Sequence, residues 1–193
     1  MKICLLVLLA AMVSACPALA QNPNYHLELY ADAAQSSCGL DATQAGVVSV
    51  HAFLKGDAPT TGFLFALYPP SCFAGAVWVD DHTAQPWATI GSTQIPMGLS
   101  VGTGVCASLP LYVGHFDFMA PGGTASCCAF DVTHPTGWTY FTSPRLATDC
   151  DFKEWEVSAR GLTVNPAGTC ACGSGTFLAT EPSTWGHVKS LYR

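Results

Sequence analysis

Side chains able to do chemistry gather in a few short stretches of this sequence. Residues 125–131, ASCCAFD, hold two adjacent cysteines, Cys127 and Cys128. Adjacent thiols suit a redox pair, half of a metal site, or the ends of two separate crosslinks. A bond between the two themselves is disfavoured, because neighbouring Cα atoms lie about 3.8 Å apart and disulfides span about 4.4–6.8 Å. Zinc sites use a Cys-x(2–4)-Cys spacing, which neither this pair nor Cys170-x-Cys172 offers. In a strand, Cys128, Phe130 and Val132 share one face and Cys127, Ala129 and Asp131 the other. The pair is therefore expected to feed two crosslinks, one inside the fold and one outside it.

The same alternation runs through 111–119, LYVGHFDFM. Tyr112, Phe116 and Phe118 point one way, and Val113, His115 and Asp117 the other. If 127–133 pairs with this strand as a hairpin across APGGTA, His115, Asp117 and Asp131 gather on the outer face. A histidine with two carboxylates can bind a metal or move protons. A solvated sheet face carries the same residues, and that plainer reading is preferred. Asp80-Asp81-His82 is a second acidic cluster, read as a turn that opens on Asp rather than as a metal site.

Residues 98–102, GLSVG, match the G-x-S-x-G nucleophile elbow, which needs a strand before it and a helix after it. TGVCASLPLYV follows and is not helical, so the match is read as accidental. Aromatic residues give the better binding signal: Trp138 and Tyr140 share one strand face, and Trp78, Trp87 and Tyr68 lie near loop ends. Flat exposed rings make a platform for sugars or for a protein partner. Core packing accounts for most of them equally well.

These residues need a scaffold, and the chain reads as strands. Alternating runs occur at 26–31, 46–53, 61–68, 76–79, 111–119, 127–133, 138–142, 155–159 and 162–165, with weaker signals over 94–105. Pro69-Pro70 stops the third run. Charged residues make up only 10% of the chain while Gly and Pro are plentiful, which suits short strands joined by turns better than surface helices. No βα alternation appears. The expected fold is all-β, an antiparallel β-sandwich with disulfides and a short C-terminal helix over about 183–192. In that helix Trp185, Val188 and Leu191 form an apolar stripe read as packing on the sandwich.

The first 20 residues read as a signal peptide: Lys2, an apolar stretch from 3 to 13, and Ala18-Leu19-Ala20 before Gln21. The overlapping VSAC resembles a lipobox, with lipid anchoring at Cys16 as the alternative. Residues 21–193 then form a single domain. No later segment is long and apolar enough to be transmembrane. The net charge of −6 and the scattered Lys and Arg exclude a basic nucleic-acid footprint. Eight cysteines remain beyond the signal, namely Cys38, Cys72, Cys106, Cys127, Cys128, Cys150, Cys170 and Cys172. An even count in an exported chain reads as a disulfide framework. Cys72 is expected to pair with Cys106, since both flank the weak middle region. Cys127 and Cys128 then reach among Cys150, Cys170 and Cys172, and Cys38 takes the remainder.

With YADAAQSSC, CCAFDV, TDC, VNPAGTCAC and the closing STWGHVKSLYR in view, the chain resembles a group of uncharacterised exported proteins from environmental bacteria. That resemblance brings no catalytic residues with it. The strand pattern is also similar to cohesin-like and other immunoglobulin-like sandwiches, which implies a fold and little about function. Two function classes follow. The favoured one is a non-catalytic secreted or cell-surface module that binds glycan or protein, or an envelope component. The alternative is a small extracellular hydrolase or metal-dependent enzyme using the His/Asp residues. No cofactor is expected, and the oligomeric state is left open.

Overall fold

In this computed structural model, residues 22–137, 145–168 and 170 are described. The first 20 residues, Trp138, Tyr140, Cys172 and the expected terminal helix lie outside them. Twelve strands form: β1 Tyr25–Tyr30, β2 Gly39–Leu40, β3 Ala45–Lys55, β4 Thr60–Phe65, β5 Val77–Thr83, β6 Ala88–Gly91, β7 Leu99–Ala107, β8 Leu111–Pro121, β9 Cys128–Phe130, β10 Leu146–Thr148, β11 Glu154–Arg160 and β12 Leu162–Val164. Among the described residues the one helical piece is a 3-10 turn, Ser71–Phe73. The all-β expectation holds.

Nine strands form one sheet in the order β5-β8-β3-β1-β11-β10-β4-β7-β6. Strand β11 is where that sheet turns. Glu154, Trp155 and Glu156 pair with β10, whereas the following residues, Val157 to Arg160, run parallel to β1. The two halves curl over one another, and the alternation in their strands supplies the filling. Val50, Ala52 and Leu54 of β3, with Val113, Phe116 and Phe118 of β8, point inward from one half. Phe63, Phe65, Leu99 and Val101 point inward from the other. Phe65 meets Phe116 edge-on at 5.6 Å, so the two inner faces are in contact. Such aromatic pairs add about 0.5–1.5 kcal/mol beyond the area they bury.

A second sheet, β2-β12-β9, carries Phe130 into the same core against Phe118 and Phe73. Two pairings, β1 with β11 and β2 with β12, are parallel; the rest are antiparallel. Buried Asn165, just after β12, ties this region together. Its Oδ1 accepts from the Ala42 amide at 2.6 Å, and its Nδ2 donates to the Thr124 carbonyl at 2.8 Å. It holds φ at 49°, a left-handed conformation that Asn tolerates better than most residues.

The expected hairpin between 111–119 and 127–133 does not form. Strand β8 is instead flanked by β3 and β5, and β9 pairs with β12. β3 and β8 are both 11 residues long and match over nearly their whole length, which a three-residue β9 cannot rival. Cysteine pairing differs too. Cys72 bonds Cys128 rather than Cys106, because the 3-10 turn that carries Cys72 packs Phe73 on Phe130 beside Cys128. Cys106, at the end of β7, bonds Cys150 in the β10–β11 turn. Cys127 bonds Cys170, and Cys38 is also disulfide-bonded. The adjacent pair does feed two crosslinks. Cys128 is buried and Cys127 exposed, helped by a left-handed φ of 64° at Cys127 just before the strand begins.

Candidate functional site

The outer face of the second half-sheet carries a broad concavity. Thr148, Gly62, Gly102 and Ala88 stand opposite one another in successive strands β10, β4, β7 and β6. Four small residues in one cross-strand row leave the sheet surface uncovered there. The result is an open groove of about 680 Å³. Its rim is apolar and strongly exposed: Ile90 at 77%, Val105 at 67% and Phe152 at 79%. Single exposed apolar residues are ordinary on protein surfaces, but a cluster framing a groove marks an interaction site.

Phe152 is held on this rim by its turn. Asp149 Oδ1 accepts from the amides of Asp151 and Lys153, both at 2.9 Å, and Asp149 Oδ2 accepts from Trp155 Nε1 at 2.6 Å. Those hydrogen bonds hold the Asp149 carboxyl below the ordinary range, the Trp155 bond contributing most. The Cys106–Cys150 disulfide ties the same turn to β7. Phe152 itself sits at φ 61°, a left-handed conformation costly for a bulky residue.

The outer face of the first half-sheet is polar in its centre. Antiparallel register places His51, His115 and His82 side by side on β3, β8 and β5, and beside them Ser49, Asp117 and Asp80. His82 and His115 stack with ring centroids 4.6 Å apart, and His115 and His51 lie at 5.7 Å. His82 Nε2 is 3.5 Å from Asp117 Oδ2 and 3.6 Å from Asp80 Oδ2. Ser49 donates to Asp117 Oδ1 at 2.6 Å. His51 Nδ1 shares a 2.8 Å hydrogen bond with the Tyr112 hydroxyl. Burial, then the neighbouring His115 charge, lowers the His51 pKa, against opposing pulls from Asp32 and Asp117.

Sequence-derived candidates are thus redistributed. His115 and Asp117 do share the outer face of β8, and His82 joins them, so the two separate clusters become one. Asp131 is not part of it: its carboxylate lies beside Gly161, next to β12. The stretch Asp80-Asp81-His82 is strand rather than turn, and Asp81 faces away from the cluster, accepting from Trp78 Nε1 and from the Thr93 amide and hydroxyl. Trp78 and Trp87 are half-buried and pack on the core, Trp87 edge-on to Phe63. Neither is a flat exposed platform. Ser100 of the G-x-S-x-G match lies in mid-strand between Leu64 and Ile90, with no helix after it. The groove's one signal in the sequence is glycine inside a strand pattern, at Gly62 and Gly102.

No protein-family model matches the chain, and no curated protein matches it. Solved structures do. A non-cellulosomal cohesin from the hyperthermophilic archaeon Archaeoglobus fulgidus superposes with a TM-score of 0.50 at 12% identity, covering 76% of this chain and 93% of that one. The fold is cohesin-like. The sixth cohesin of Acetivibrio cellulolyticus scaffoldin B, solved in complex with a Cel5 dockerin mutant, gives 0.48 at 10% identity, covering 75% and 99%. At such identities the likeness concerns fold alone. Among the described residues no helix is long and apolar enough to cross a membrane.

Proposed function

We propose that this chain is a non-catalytic, exported module that binds a protein partner in the groove across β10, β4, β7 and β6. The exposed apolar rim of Ile90, Val105 and Phe152 around a floor of small residues carries the proposal. Apolar area is what a protein partner can bury for affinity, and a glycine floor admits a close approach by another backbone. An extended segment presenting apolar side chains fits such a shape. Among the described residues, the groove lining includes one carboxylate, Glu154, and no histidine. Glycan binding is less well supported, since Trp78 and Trp87 are committed to the core. The signal-like N-terminus and the disulfides support an oxidising, extracytoplasmic setting, at the cell surface or beyond.

The test is to probe one oxidised preparation of residues 21–193 with a displayed peptide library and a glycan array. Enrichment of peptides with alternating apolar residues is expected, and Ile90→Asp should weaken their binding at least about tenfold, or ~1.4 kcal/mol. Binding confined to glycans, and indifferent to Ile90→Asp, would replace this reading.

A further inference from the structure

A different surface, independent of the groove, carries a second assignment. We infer that His82, His115 and Asp117 form a site for a zinc-like divalent transition metal on the outer face of β5 and β8. Each contributes one ligand atom, and these atoms all lie within 4.8 Å of one another. Tetrahedral zinc with bonds of about 2.0–2.2 Å sets its ligand atoms roughly 3.4 Å apart. His82 Nε2 and Asp117 Oδ2 already stand at 3.5 Å, close to that spacing.

The backbone holds these ligands in place. His82 lies directly opposite His115 in the antiparallel β5–β8 ladder, and Asp80 directly opposite Asp117. That second pairing places two carboxylates across from each other, an arrangement that destabilises a sheet unless something neutralises it. His82 Nε2 lies near both carboxylates, 3.5 Å from Asp117 and 3.6 Å from Asp80. A metal ion held by His82, His115 and Asp117 would offset the remaining repulsion.

Supporting groups complete the site. Ser49 donates to Asp117 Oδ1 at 2.6 Å, which orients the carboxylate and leaves Oδ2 turned toward His82. Hydrogen bonds of this kind to a ligating carboxylate fix its orientation and are worth about 10–100-fold in metal affinity. His82 and His115 also border an open depression of about 460 Å³, shared with Trp87 and Tyr112, which leaves room for water or a further ligand on the metal. Two imidazoles and one carboxylate suit zinc and its transition-metal neighbours. Calcium, which takes about 6–8 oxygen ligands, does not fit.

Tag-free residues 21–193, stripped with a chelating resin, would be titrated with zinc chloride by calorimetry at neutral pH, with Co²⁺ absorption reporting geometry. One zinc per chain and a tetrahedral Co²⁺ spectrum are expected. His115→Ala and the exposed-edge variant His82→Gln should each weaken zinc binding at least about tenfold, and Ser49→Ala about tenfold. Asp131→Asn, at the carboxylate that the fold directs elsewhere, should leave it unchanged. Absence of zinc binding, or binding that persists in His82→Gln, would overturn the assignment. Should His115→Ala fail to fold, His82→Gln decides alone. Neither result bears on peptide binding in the groove, so the two readings fail separately.

Discussion

Gly62 and Gly102 stand directly opposite one another in the β4–β7 pair, and between them the groove floor has no side chain. Their surroundings differ. A Cβ on Gly62 would come 2.8 Å from the Val101 carbonyl oxygen, whereas on Gly102 the nearest atoms, from Ala88, lie at 3.8 and 3.9 Å. Only Gly102 has space to spare.

Gly102→Val should therefore fold normally, since a β-branched residue suits a strand. Its side chain would occupy the groove and weaken partner binding at least about tenfold. Gly62→Ala should lower stability by about 1–3 kcal/mol, as overpacking against backbone does. Urea unfolding and partner titration of both variants check the contrast.

Phe152 combines high exposure with a left-handed φ of 61°. Replacing it by glycine relieves a backbone cost of about 1–2 kcal/mol, offset in part by glycine's greater freedom when unfolded. Phe152→Gly should match the native stability or exceed it by up to about 1 kcal/mol, yet lose partner affinity. A residue kept only for packing would show the opposite, lower stability with binding intact.

The strand content was legible because alternation and turn residues are local properties. Phe116 and Phe118 fall on the inner face and His115 and Asp117 on the outer one, as period two assigns them. A bulge between Gly114 and Tyr112 reverses the next two residues: Val113 is buried and Tyr112 reaches His51 on the outer face. Partner choice was not legible, because it depends on matched strand lengths far apart in sequence. Strand β8 takes β3 and β5 rather than the nearby β9, which separated Asp131 from His115 and brought His82 in its place. The Cys72 partner failed for the same reason: a turn docked by Phe73 decides it. Short strands such as β2, β6 and β10 offer too few residues to show a period.

Glu28 sets an acid limit. Its buried carboxylate accepts from Lys55 Nζ at 2.6 Å and from the Tyr30 hydroxyl. Burial pushes the carboxyl up, but the Lys55 and Tyr30 bonds and the Lys55 charge outweigh it, leaving the pKa below its ordinary value. A lowered folded-state pKa gives stability that is present above the unfolded value of about 4.3 and lost as pH falls through the folded one. Lys55 is raised: burial lowers it, and the bond to Glu28 more than compensates. Its share is complete below about 10.4 and lost as pH rises beyond. Urea midpoints should be level between these limits as far as this pair is concerned. Glu28→Gln should flatten the acid limb and cost about 1–2 kcal/mol on the plateau, the lower end reflecting the partly exposed lysine.

The groove itself is tested most directly by amide chemical-shift mapping of isotope-labelled residues 21–193 with a selected peptide. Perturbations centred on Gly62, Ile90, Gly102, Val105 and Phe152 are expected. Perturbations centred instead on the outer face of β3, β8 and β5, or none at saturating peptide, would contradict a binding module built on this groove.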